Sequence, residues 1–384
     1  MSLNEEISAK RATIHSDSYA MSIGELAGMY KEEEIDIHPE FQRFYRWTSL
    51  QKTRLIESLL LGIPIPSIFV SQRGDGVWDV IDGLQRLSTI FEFMGILKLE
   101  DGSDAAPLVL EKTKYLPSLG GKVWEIKQAD DDIAEAEFPL SKADTDKLIG
   151  RENQLIIKRS KLDVQIILRE SDENSKYELF QRLNTGGSQL SDQELRNCVL
   201  IMENREFFKW ILELSGDENF NSCISLTDRS LDEQYNVELV VRFLVLKNVT
   251  DEETKGLHDL GDFLTSKITD MAKDTGYDRI GNEKIFRDTF SILASTTGED
   301  SFRRFIPGKK KFSGGFLISA FEVMAIGLGY NISDYHSSAT MPDLSKKAQT
   351  LWADPAFTKR IGRGISGARR VQDTIPFGRK FMKP

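Results

Sequence analysis

Hydrophobic positions in the first half of the chain switch between two periods. Leu55, Ile56, Leu59 and Leu60 recur at helical spacing behind a Thr48-x-x-Gln51 capping box and stop at Gly62, which predicts a helix. Ser67 to Gln72 and Val77 to Ile81 read as two strands of a hairpin joined by Arg73-Gly74-Asp75-Gly76. Helical spacing returns at Leu84, Leu87, Ile90, Phe91 and Met94, directly after Asp82-Gly83, so the second strand runs into a helix N-terminus. A Ser22-x-x-Glu25 box opens a short helix, and Ile35 to Ile37 reads as a strand before Pro39. Leu162 to Leu168 suits a buried strand, followed by a helix from about 173 to 183 that stops at Asn184-Thr185-Gly186-Gly187. Ser191-x-x-Glu194 caps the next helix.

Periodicity fades between residues 100 and 154, where Asp130, Asp131, Asp132, Glu135 and Glu137 cluster without a base, the composition of a solvated loop or insertion. After residue 200 strand signals nearly vanish. Helical stretches are expected near 205–214, 231–247, 258–273, 282–294, 315–328 and 342–353. The pattern predicts an α+β protein with an N-terminal domain over residues 1–205 and a mostly α-helical C-terminal domain over 206–384.

Composition narrows the chemistry. Four histidines and two cysteines leave no four-thiolate zinc site and no HExxH motif. The longest apolar run, Leu59 to Val70, is broken by Pro64 and Pro66, and the N-terminus has no apolar core, so a cytoplasmic protein without a membrane span is expected. Fifty bases against 60 acids give −10, which points away from a protein that coats nucleic acid. Yet residues 359–384 hold eight bases and one acid, so the acidic total hides a basic terminus.

Three clusters are candidates for function. In Val80-Ile81-Asp82-Gly83-Leu84-Gln85-Arg86-Leu87-Ser88-Thr89, a strand turning through Gly83 into a helix offers free N–H groups and a helix dipole to an anion, with Arg86 adding a planar fork for phosphate. The same spacing is also an ordinary Asp82-x-x-Gln85 capping box. His38 to Trp47 carries Arg43, Tyr45 and Arg46 in an aromatic run that would stack on a base while gripping a phosphate, or would serve as core with snorkelling arginines. Asn184, Gly186 and Gly187 form either a helix stop or a loop whose backbone approaches a ligand.

Taken in order, PEFQRFYRW, LIESLLLGIPIPSIFV, VIDGLQRLSTI and FQRLNTGGSQLSDQELR resemble the N-terminal domain of the GmrSD-type restriction endonucleases, which also occurs in SspE-like and BrxU-like antiviral proteins. The family hallmark D-G-Q-Q-R stands here as Asp82-Gly83-Leu84-Gln85-Arg86, with leucine in place of the first glutamine. The resemblance implies a ParB/sulfiredoxin-like fold that binds and hydrolyses a nucleoside triphosphate with Mg2+. It implies Asp82, Gln85 and Arg86 as catalytic residues, and Arg43, Gly83, Arg86, Asn184, Gly186 and Gly187 as nucleotide and phosphate contacts; Tyr45, Arg46 and Thr89, from the residue clusters themselves, are expected to join those contacts. Arg43 and Arg86 would neutralise charge on the transferred phosphoryl group, while Asp82 or Gln85 orients water or magnesium.

His258 and His336 stand alone, so no HNH nuclease is expected, and cutting would fall to a separate nuclease subunit. A non-catalytic subunit that senses DNA or its modification is the alternative reading. Two basic clusters suggest DNA contact: Arg303, Arg304 and Lys309 to Lys311, and the C-terminal Arg363, Arg369, Arg370, Arg379 and Lys380.

Overall fold

The computed structural model describes residues 2–3, 5, 15–37, 47–99, 101–126, 142–169, 191–338, 342–359 and 364–384. The chain divides into two units, Met1–Gln189 and Leu190–Pro384; the first is α+β and the second is mostly helical.

In the first unit β1 (Ser16–Ser22), β2 (Ile35–Asp36), β3 (Ile68–Gln72), β4 (Trp78–Asp82) and β5 (Lys161–Ile167) form one mixed sheet in the order β1-β5-β3-β4-β2. β3 and β4 are the expected antiparallel hairpin, β5 runs parallel to β3, and β2 runs parallel to β4. Ile68, Val70, Val80, Val164 and Ile166 are buried in the sheet. They share one core with residues of α1 (Ile23–Lys31), α2 (Ser49–Leu61), α3 (Leu84–Phe93) and α4 (Arg151–Arg159). The Thr48–Gln51 box closes reciprocally at the start of α2, and Gly62 ends that helix at φ 68°. β1 lay outside the periodic reading because Met21 is its only buried residue, the signature of an edge strand.

One expectation is corrected. Residues 101–126 do not form a solvated insertion: Leu108, Leu110, Leu119 and Trp124 are buried in the same core. Two polar residues of α2 tie the segment down. The Thr53 hydroxyl accepts the Glu111 N–H at 3.0 Å, and the buried Glu57 carboxylate accepts from the Thr113 hydroxyl and from Leu116 N–H. Apolar residues at irregular spacing carry no period, which is why the segment read as loop. The acidic run from Asp130 to Glu137 and the expected helix at 173–183 lie outside the described residues.

The second unit contains α5 (Asp192–Ser215), α6 (Glu218–Ile224), α7 (Tyr235–Asn248), α8 (Leu260–Lys273) and α9 (Arg279–Thr296). A ribbon of β6 (Arg304–Ile306) and β7 (Lys311–Ser313) follows, then α10 (Ile318–Tyr330), α11 (Leu344–Leu351) and α12 (Gly367–Phe381). Phe220, Phe243, Phe286, Phe290, Phe302 and Phe321 are fully buried and meet edge-on or tilted, except for the stacked pair Phe290–Phe321, with Phe286 and Phe290 centroids 4.6 Å apart. Among the described residues no helix is long and apolar enough to cross a membrane.

Candidate phosphate-handling site

The hairpin and its following helix assemble the hallmark residues at one turn. β4 ends at Asp82, and Gly83 adopts φ 97° to redirect the chain into α3. Glycine is demanded twice here. The left-handed backbone disfavours any side chain, and a Cβ would lie 2.4 Å from Ile68 Cγ2 on the neighbouring strand.

The expected Asp82-x-x-Gln85 capping box does not form, because Gly83 itself is the N-cap and supplies no side-chain acceptor. Asp82 turns elsewhere. Its Oδ1 accepts the Gly83 N–H at 2.7 Å and its Oδ2 accepts from Arg86 Nη2 at 2.9 Å. Arg86 Nη1 donates to the carbonyls of Pro66 and Ser67, the latter at 3.0 Å. One guanidinium therefore clamps the Pro-rich approach to β3 onto the β4–α3 turn, a task that needs donors fanned across a plane. The Arg86 side chain is 12% exposed and that of Asp82 37%, so the cation is interior and the carboxylate faces solvent.

The α3 N-terminus has no side-chain cap. Leu87 N–H makes the first intrahelical bond, to Gly83 O, so the amides of Leu84, Gln85 and Arg86 precede the helical ladder, and the first turn holds no acid. Thr89 takes no place at this end: it is buried and its hydroxyl donates to Gln85 O at 2.6 Å. Sequence reasoning missed the Pro66 and Ser67 carbonyls, for which the only signal was the I-P-I-P run that holds the chain extended.

Among the described residues no group of three His, Cys, Asp or Glu residues stands ready to cage a metal ion. Asp82 nevertheless suits Mg2+, which commonly takes one or two carboxylates and completes its shell with water and substrate phosphate. Each Asp82 oxygen accepts one donor, which leaves lone pairs on the exposed side.

Arg43, Tyr45, Arg46, Asn184, Gly186, Gly187 and Arg363 lie outside the described residues. The other C-terminal bases are in the second unit. Arg370 donates from Nε and Nη2 to the buried Glu322 carboxylate at 3.0–3.1 Å. Arg379 Nη2 donates to the carbonyls of Leu246, Lys247 and Val249 at the end of α7, while its guanidinium lies 4.5 Å from the Tyr330 ring centroid. Arg369 is exposed and bonded to Gln372, and Lys380 is exposed.

Neither a curated protein nor a solved structure matches the chain. Residues 23–201, which include the whole β3–β4–α3 element, match the family described as GmrSD restriction endonuclease, N-terminal domain. That span of the chain belongs to the N-terminal domain family of the GmrSD restriction endonucleases.

Proposed function

We propose that this chain is the nucleotide-handling component of a restriction or antiphage system, that it binds a nucleoside triphosphate with Mg2+ at the β4–α3 turn, and that it hydrolyses it. The observation that carries this reading is the uncapped first turn of α3 beside a solvent-facing carboxylate fixed by a buried arginine. The amides of Leu84, Gln85 and Arg86 would receive phosphate oxygens, and Asp82 would hold Mg2+ against them. When bound, the ion neutralises charge on the phosphoryl group. Arg86 holds the Asp82 carboxylate in position, and Gln85 would orient the water that attacks phosphorus as the bridging P–O bond breaks, releasing inorganic phosphate, which keeps the water's oxygen, and the diphosphate.

The test is phosphate release from a panel of nucleoside triphosphates by the full chain, with Mg2+ and with and without DNA. Asp82→Asn should lower turnover by about 100-fold or more at a temperature where its thermal melt shows the variant still folded. No release from any triphosphate under either condition would overturn hydrolysis. A non-catalytic sensing role is a second reading, favoured by one observation: the Arg86 fork is already engaged by Pro66, Ser67 and Asp82. Equilibrium binding of a triphosphate without phosphate release would select it, with cutting left to a separate nuclease.

A further inference from the structure

The β6–β7 ribbon of the second unit is a basic arm. From Ser301 to Phe321 the chain holds five bases and no acid, within a protein whose net charge is −10. Arg303, at the root, is bonded within its own turn, to Glu299 and Asp300 at 3.4 and 3.5 Å. Among the described residues no carboxylate pairs with Arg304, Lys309, Lys310 or Lys311, and all four are exposed.

We propose that this ribbon is a duplex-DNA contact whose basic outer face follows the phosphates bordering the major groove. The register Arg304↔Ser313, Phe305↔Phe312, Ile306↔Lys311 sorts the side chains by face. Phe305 and Phe312 pair on one face with centroids 5.1 Å apart and are half-buried, which leaves Arg304 and Lys311 on the other. The root is fixed: Phe302 is fully buried against Phe316 and Phe321, and Leu317 N–H donates to Phe302 O at 3.0 Å across the base. The tip is clear, since a Cβ at Gly308 would meet nothing within 4 Å. A rigid root and an uncrowded basic tip are the properties of an arm that reaches a partner.

The tip also carries charge against backbone preference. Lys310 sits at φ 48°, ψ 39°, the left-handed region in which glycine is the favoured residue, although glycines stand close by at 308, 314 and 315. The backbone at this position thus does not account for a lysine side chain.

The chemistry separates the polyanions. A membrane surface would require exposed aromatic or leucine side chains to insert, and the aromatic residues of the ribbon face each other. A two-stranded ribbon fits a B-form major groove about 12 Å wide, whereas the major groove of A-form RNA is too narrow to admit it.

The experiment is fluorescence anisotropy of a labelled duplex of arbitrary sequence, titrated with the full chain across a series of salt concentrations without nucleotide. Its outcome is therefore separate from that of the phosphate-release assay. Wild type should bind with a steep salt slope, about 0.9 for each phosphate neutralised. Lys310→Gly keeps or improves the turn, so a loss of affinity in this variant reports charge and not misfolding. Combined with Lys309→Gln and Lys311→Gln, it should lower affinity at least about tenfold and the slope by two to three. Lys284→Gln on α9, an exposed lysine outside both basic clusters, should leave both unchanged. Three results would overturn the proposal: unchanged binding in the triple variant, a loss confined to Lys284→Gln, or tighter binding of wild type to an A-form RNA duplex or to anionic phosphatidylserine vesicles than to DNA.

Discussion

At Gly83 two independent demands coincide, and they are separable by comparison with Gly62. Both residues have positive φ, 97° and 68° respectively, but a Cβ at Gly62 meets nothing within 4 Å while one at Gly83 runs into Ile68. Gly62→Ala should therefore cost only the backbone term, about 1 kcal/mol. Gly83→Ala adds overpacking against β3 and should cost about 3 kcal/mol in all. Urea denaturation followed by tryptophan fluorescence of the first unit checks the difference. Equal losses would mean that the turn yields freely and that its approach to β3 does not hold the first amides of α3 in place. The glycine was legible in the sequence as a turn. The close contact was not, because it depends on which strand lies beside β4.

Among elements, α12 shows most clearly where one-dimensional reading stops. Ala368, Val371, Thr374, Ile375 and Gly378 are buried at helical spacing, so an amphipathic helix was there to be read, yet the density of arginine and lysine drew attention to its charge instead. Arg370 turns inward. Glu322, fully buried on α10, accepts from Arg370 Nε and Nη2 and from the Thr374 hydroxyl at 2.7 Å, with Arg242 of α7 3.7 Å away. The two helices meet closely enough that a Cβ on Gly327 would lie 2.5 Å from Gly378 O. A count of bases along a sequence cannot distinguish an arginine that answers a buried carboxylate from one that awaits phosphate. In the first unit the hairpin, the caps of α1 and α2 and the strand-turn-helix were readable because their signals are local. The Arg86 clamp was not, since its acceptors are backbone carbonyls 19 and 20 residues upstream. Glu322→Gln should destabilise the second unit by about 3–5 kcal/mol, as expected when one partner of a buried ion pair is removed. Replacing Glu322 and Arg370 together by methionine should recover most of that loss. Guanidinium denaturation of the single and double variants decides, and a double variant as unstable as the single would show that the pair itself, and not an orphaned charge, carries the stability.

Across the whole molecule, charge is distributed unevenly in a way the total conceals. Residues 1–189 hold 23 bases and 32 acids, and residues 190–384 hold 27 and 28, so the first unit carries −9 and the second −1. Within the second unit residues 190–302 hold 12 bases against 23 acids, and residues 303–384 hold 15 against five. The near-neutral second unit is thus an acidic segment followed by a basic one, and its stability should respond to pH at both extremes. Glu253 accepts from Lys267 at 2.5 Å and from Thr250 N–H, and these bonds hold its carboxyl down to about 2. A depressed carboxyl stabilises the fold above its ordinary value of 4.5, and that contribution is lost as pH falls from about 4.5 to about 2. Tyr235 behaves in the opposite sense: burial, opposed by Arg242 and Arg370 and reinforced by Glu238 and Glu322, pushes its phenol up to about 12. Its contribution is complete below pH 10 and disappears as pH rises from about 10 to about 12, because the unfolded chain sheds that proton first. Calorimetric melting temperatures across pH should show both limbs. Glu253→Gln should flatten the acid limb only modestly, since the ion pair is partly exposed and screened, whereas Tyr235→Phe should remove part of the drop between pH 10 and 12 while leaving the acid limb intact. An alkaline limb unchanged in Tyr235→Phe would place its origin in another group, with the buried Tyr335, whose phenol desolvation also pushes up to about 12, as the next to replace.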